Sequence, residues 1–230
     1  MDHPELEWRS VPMGLDDDLV VRGGTGEEPA GADLGERVRI GGPLAVPVRP
    51  EDVEGDLRTF MAAEAGRHTY HLTHVALSLI TERGDPKFES ATLSLLLSAA
   101  GGAVPEPVAW SMLPQRITEE ESVTTNFRFG PELTLEPVGL SLGSVERAGT
   151  RTSARLAVEA RGLLRADPSW RLTDTARNPI AGVHRLVLVV RGAAGVVPQA
   201  VVGVRATVRE RRVLRYRSRD LPPVVIAGSL

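Results

Sequence analysis

The feature that most restricts what this chain can fold into is the period-two alternation of apolar residues between Ser153 and Val208, divided by turn residues into short segments. From Ser153 to Ala160, the even positions Ala154, Leu156, Val158 and Ala160 are apolar while Arg155 and Glu159 fall between them. A strand with one face on a core and the other in water has this pattern. Asp167-Pro168 is a turn signal, and after it Trp170 and Leu172 share one side with Arg171 opposite. The run Val183–Val190 is different, because Leu186, Leu188 and Val190 on one face are matched by Val187 and Val189 on the other. Apolar character on both faces predicts a central strand that is covered on both sides. Gly192–Gly195 then supplies a flexible turn, and Ala200, Val202, Val204, Ala206 and Val208 are predicted inward on the next strand. Strands on turn punctuation of this spacing predict an antiparallel all-β architecture.

The same signals extend upstream. Thr73, Val75, Leu77 and Leu79 share one face of a strand, Gly84-Asp85-Pro86 marks a turn, and Leu93, Leu95 and Leu97 alternate with Thr92 and Ser94, which together read as a hairpin. Beyond the Pro- and Gly-rich segment 101–107, strands are expected at Val108–Met112 around Trp110, at Val123–Phe129 with Val123, Thr125, Phe127 and Phe129 inward, and from Leu133 to Leu142. The helix candidate is residues 51–66, where Val53, Leu57, Phe60, Met61 and Glu64 fit a helical spacing behind an acidic first turn, with a strand through Leu57–Met61 as the competing assignment. Residues 1–50 contain short extended pieces, Leu6–Val11 and Val38–Ile40, around a loop at Gly23–Gly31. Trp110 and Trp170 each precede a strand start by thirteen residues, at Val123 and Val183, an echo that admits two related β units.

The 230 residues are enough to bury a substantial core without disulfides or metal, and the chain contains no cysteine. That removes thiol nucleophiles and thiolate metal sites. The first residues are acidic and lack an apolar run, and no apolar stretch approaches the roughly 20 residues of a membrane helix, so the expectation is a soluble cytosolic protein with no membrane span. Lys87 is the sole lysine among the 27 basic residues. With abundant Ala, Gly, Pro and Val, that bias points to a GC-rich bacterial source. The net charge of -3 conceals an uneven placement, with acidic runs at Asp16–Asp18 and Glu119–Glu121 and a basic C-terminal region.

Motifs with defined chemistry are sparse. The Gly23–Gly31 glycines lack the following Lys-Ser or Lys-Thr of a phosphate loop, and Asp16–Asp18 lack the alternating calcium-loop pattern. His68, His71 and His74 invite a metal reading, yet on an extended strand the outer two lie roughly 20 Å apart and His71 faces the other way, so no metal or other cofactor is assigned. No serine sits in Gly-x-Ser-x-Gly. Aromatics make up 4% of the chain, too few for the stacking platforms of a sugar site.

The most distinctive polar feature is Arg205, Arg209, Arg211, Arg215, Arg217 and Arg219, all at odd positions, with Arg212 the exception. If one strand runs through them they line a single face, suited to bidentate contact with phosphates or with an acidic protein surface. An edge strand whose charges block edge-to-edge aggregation accounts for the same pattern. The apolar terminal segment Leu221–Leu230 reads as a tail or a last edge strand that docks on something. The sequence therefore predicts an all-β antiparallel sandwich of Ig-like or Greek-key type with at most one or two helices. Its predicted parts are an N-terminal extension (1–50), a first β half (51–145) and a second β half (146–230), as one sandwich or two similar units. The function expected is a non-catalytic interaction or scaffold module of a bacterial cytosolic assembly, with a protein partner or self-association through strand edges. Binding of an anionic partner, phosphate or nucleic acid, through the six arginines is the first alternative and an unrecognised hydrolase the second.

Overall fold

The computed structural model describes residues 6–10, 37–82, 86–102, 105–118, 127–129, 133–135, 156–212, 215–220 and 224–229. The chain is all-β and antiparallel, with one α-helix. Its strands are β1 (Trp8–Ser10), β2 (Val38–Val48), β3 (His68–Leu79), β4 (Lys87–Ala99), β5 (Val108–Leu113), β6 (Arg116–Thr118), β7 (Phe127–Phe129), β8 (Leu133–Leu135), β9 (Leu156–Arg161), β10 (Ser169–Thr173), β11 (Gly182–Ala193), β12 (Pro198–Arg212), β13 (Arg215–Asp220) and β14 (Val224–Ser229). The first sheet runs β1-β2-β3-β11-β5, and the second runs β13-β12-β4-β10-β9-β6 with β14 also on β12. Strands β7 and β8 pair with each other.

The two large sheets enclose one core, to which the first contributes Val75, Leu77, Leu186, Leu188 and Val190 and the second Leu93, Leu95, Trp170, Leu172, Val202 and Val204. These are the inward positions of the alternating segments, while Arg171, Thr92 and Arg205 stand at outward positions of β10, β4 and β12 as the pleat requires. Trp170 is fully buried, and its indole N–H donates to the Pro114 carbonyl at 3.1 Å. That bond satisfies the one polar atom that burying the ring would otherwise leave costly.

β11 sits between β3 and β5, and its two apolar faces are both covered. Leu186, Leu188 and Val190 enter the sandwich, while Val189 joins Leu57, Met61, Tyr70 and Trp110 in a second cluster under the helix α1 (Gly55–Glu64). The helix expected over 51–66 is present over the shorter span Gly55–Glu64, with a separate 3-10 turn at Pro50–Asp52 ahead of it. Gly55 starts the helix at φ +61, where a left-handed residue is best supplied by glycine. A bulge in β5 makes Val189 and Val190 face Ser111 and Ala109. The extra residue, Trp110, turns to the helix side and stacks its ring on Phe60 at 6.5 Å and edge-on to Tyr70 at 6.3 Å.

One expectation is corrected. β3 and β4 do not form a hairpin: β3 pairs with β2 and β11 in the first sheet, β4 with β10 and β12 in the second. The connection after Leu79 crosses between sheets, as does the one from β11 to β12. Turn residues between two alternating strands say that the chain reverses, but not whether it reverses within a sheet or across the core. Each sheet takes strands from both sides of position 145. Trp110 and Trp170 lie in different sheets and different clusters.

Several expectations fall outside the described residues: the Gly23–Gly31 loop, Asp16–Asp18, Gly84-Asp85, Glu119–Glu121, the strand from Val123 to Asn126, the run after Leu135, and Ser153–Arg155. For Phe127 and Phe129 the backbone alone is described.

Leu188 and Val183 belong to one strand, the first fully buried and the second 57% exposed. Leu188→Ala is expected to lower unfolding free energy by about 2–5 kcal/mol, while Val183→Ala changes it by less than about 0.5 kcal/mol, as read from urea denaturation midpoints.

Candidate functional site

β12 is longer than the strand it leans on. Its pairing with β4 ends at Arg209, opposite Lys87, and beyond that point its partner is β13, with Glu210 opposite Arg217, Arg211 opposite Tyr216 and Arg212 opposite Arg215. The last three pairs therefore form a two-stranded ribbon that extends past β4 by about 10 Å, at 3.4 Å per residue.

The six arginines do not follow one another along a single strand: Arg205, Arg209 and Arg211 lie in β12, and Arg215, Arg217 and Arg219 in β13. Directly opposed residues in an antiparallel pair lie on the same side. In the backbone register Arg209 and Arg211 stand opposite Ser218 and Tyr216, whereas Arg215, Arg217 and Arg219 stand opposite Arg212, Glu210 and Val208. Odd numbering predicts a common face only along an unbroken strand. Here the chain reverses between Arg212 and Arg215, two strands pair with odd opposite even, and the parity changes sides. Of the six, Arg205 and Arg209 are exposed, and Arg209 donates to Glu89 at 2.8 Å in an ion pair. For Arg211, Arg215, Arg217 and Arg219 the backbone register alone is described.

The pairing also assembles a basic surface that is scattered in the sequence. On the outer face of the second sheet Arg205 pairs with Thr92, Thr92 with Arg171, Arg171 with Glu159, and Glu159 with Arg116. One row thus crosses five strands with an arginine on every second one. Neighbouring outward positions are Ser94, Ser169 and Arg161 on one side and Ser90, Thr173 and Thr207 on the other. Arg116, Arg171 and Arg205 are exposed and form no salt bridge among the described residues, while Glu159 is engaged by Arg161 at 2.7 Å. Beside the row, Leu156, Glu159, Arg161, Arg171 and Thr173 line an open depression of about 200 Å³. That is below the roughly 300–1,000 Å³ of a drug-sized ligand pocket, so the face suits surface contact better than small-molecule enclosure.

No family model matches this chain, and no curated protein matches it. A solved structure titled "Pore forming protein" is similar with a TM-score of 0.33 and 6% identity over 84% of each chain, too distant to bring fold or function across. No helix among the described residues is long and apolar enough to cross a membrane.

The terminal segment folds onto the protein itself. β14 pairs with the first half of β12, Val224 opposite Val204 and Ile226 opposite Val202, in line with β13 on the second half. It is the edge strand of the two alternatives.

The three histidines are carried by β3, where His68 and His74 stand opposite Ala193 and Val187 on the helix side and His71 opposite Val190 on the core side. His68 Nε2 lies 3.3 Å from Glu64 at the end of α1. His71 is half-buried with its Nδ1 lacking a partner, and burial lowers its pKa below the ordinary imidazole value of 6.5. The folded state therefore favours neutral His71. The unfolded chain takes up the proton more readily, so this contribution is complete above about pH 6.5 and is lost as pH falls towards the depressed folded value. Denaturation midpoints at pH 7.5 and 5.5 should show a decrease in the parent protein that is smaller in His71→Gln.

Proposed function

We propose that the protein is a non-catalytic interaction module of a bacterial cytosolic assembly, binding an anionic partner through the arginine-rich end of β12 and β13. The observation that supports this reading is the β12–β13 pairing that continues beyond the end of β4 at Lys87 and carries Arg211, Arg212, Arg215 and Arg217 in its register. β13 is an edge strand, where charge also serves against edge-to-edge pairing, but four cations within seven residues, with Glu210 opposite Arg217, repel one another and favour an anionic partner. Arginine suits such contact, since its planar guanidinium meets carboxylate or phosphate in two parallel hydrogen bonds. Because the whole chain has a net charge of -3, retention on a polyanion requires a local concentration of positive charge and not a general excess.

The test uses immobilised heparin and, separately, immobilised polyglutamate. The parent protein is expected to be retained and to elute with salt, and Arg211→Ala/Arg212→Ala/Arg215→Ala/Arg217→Ala to elute at clearly lower salt while keeping the parent far-UV circular dichroism. Equal elution of a folded quadruple variant on both matrices overturns the reading.

A further inference from the structure

We infer that the outer face of the second sheet is a docking surface for the sugar-phosphate backbone of duplex nucleic acid, centred on Arg116, Arg171 and Arg205. The inference deepens the proposed function, since Arg205 and Arg209 adjoin the ribbon, but it adds a surface the ribbon does not contain and names the partner.

Three observations carry it. The first is charge: the outward positions whose side chains are described include Lys87, Arg116, Arg161, Arg171, Arg205 and Arg209 against Glu89 and Glu159, so among these residues cations outnumber anions six to two in an acidic protein. Both glutamates are already engaged, Glu89 by Arg209 and Glu159 by Arg161, which leaves Lys87, Arg116, Arg171 and Arg205 as the cations without a salt bridge among the described residues.

The second is spacing. Arginines on alternate strands recur at about 10 Å, and the row from Arg205 to Arg116 spans about 19 Å, the axial length of five to six base pairs at 3.4 Å each. A row of cations at about 10 Å meets the duplex at about every third base-pair step.

The third is what separates the cations. Thr92, Ser94, Ser169, Thr173 and Thr207 fill the positions between them, and hydroxyls and guanidinium groups are the side chains that contact phosphate and sugar. An acidic protein would be expected to meet an apolar interface centre, and the row offers none. Single-stranded nucleic acid gains much of its affinity from bases stacked on aromatic side chains, and the described outward residues of this row include no aromatic. A duplex encloses its bases and presents phosphate, which is what a face of Arg, Ser and Thr can grip, without sequence preference.

The experiment measures fluorescence anisotropy of a labelled 20-base-pair duplex against salt, using the full chain, Arg116→Ala/Arg171→Ala, Arg116→Lys/Arg171→Lys, and the ribbon quadruple variant. The exposed arginines carry no core packing, and thermal melts establish that each variant is folded. The parent is expected to bind with a steep log-log salt slope. The double Ala variant loses up to two units of that slope, about 0.9 per phosphate contact, and the double Lys variant keeps most of it. Two duplexes of unrelated sequence bind equally. Duplex binding that the double Ala variant leaves unchanged but the ribbon variant abolishes overturns the sheet-face inference and leaves the ribbon reading standing. Retention on heparin or polyglutamate with no duplex binding overturns the nucleic-acid partner alone, as does tighter binding of a 20-nucleotide single strand than of the duplex. Absence of binding to all of these probes overturns both.

Discussion

The two-sided burial of β11 is the constraint on which the rest of the molecule depends. A strand with Leu186, Leu188 and Val190 on one face and Val189 on the other cannot lie at a solvent boundary without exposing apolar surface. One face is met by the second sheet and the other by α1. The helix has ten residues, short for independent stability in water. What holds it is tertiary: Leu57 and Met61 fit between Tyr70, Trp110 and Val189. The bulge in β5 belongs to the same solution, because it turns Trp110 to the helix side while Ala109 and Met112 stay in the sandwich. Arg191, on β11 itself, closes the cluster by lying 4.0 Å over the Trp110 ring, with its charge directed to the rim of an otherwise apolar patch.

Much of this was legible in the sequence because burial in a strand is written with period two. The inward residues of β4, β10 and β12, the double-faced character of β11 and the placement of α1 all follow from local pattern. Pairing is not local, and the pattern is silent about it. Thr73–Leu79 and Leu93–Leu97 have the same alternation whether their strands are neighbours in one sheet or face each other across a core, so the apparent hairpin was indistinguishable from a crossing between sheets. β11 is inserted between β3 and β5 from more than sixty positions further along the chain, which no local signal encodes.

The candidate surface shows the same division more sharply. Arg205 and Arg209 stood out because they belong to a dense cluster, and Arg171 was correctly placed opposite Trp170 and Leu172. Arg116 and Arg161 carried no signal at all, being single cations in short strands. They become neighbours of Arg171 and Arg205 through four strand pairings, and a search of outward cations would reach them only once strand order was known. Bulk composition misleads in the same way, since a mildly acidic chain builds one decidedly basic face by placing its cations at outward positions of one sheet.

The change of parity at the end of β12 has an implication for how such a surface can vary. Because Arg212 stands opposite Arg215, every later residue is assigned to a face by how many residues separate the two strands and not by its own chemistry. One residue more or less in that interval would move Arg215, Arg217 and Arg219 together to the other side of the ribbon. The register of these three positions is in that sense set by chain length at a single place. A one-residue insertion or deletion there would redistribute three charges that no substitution had touched.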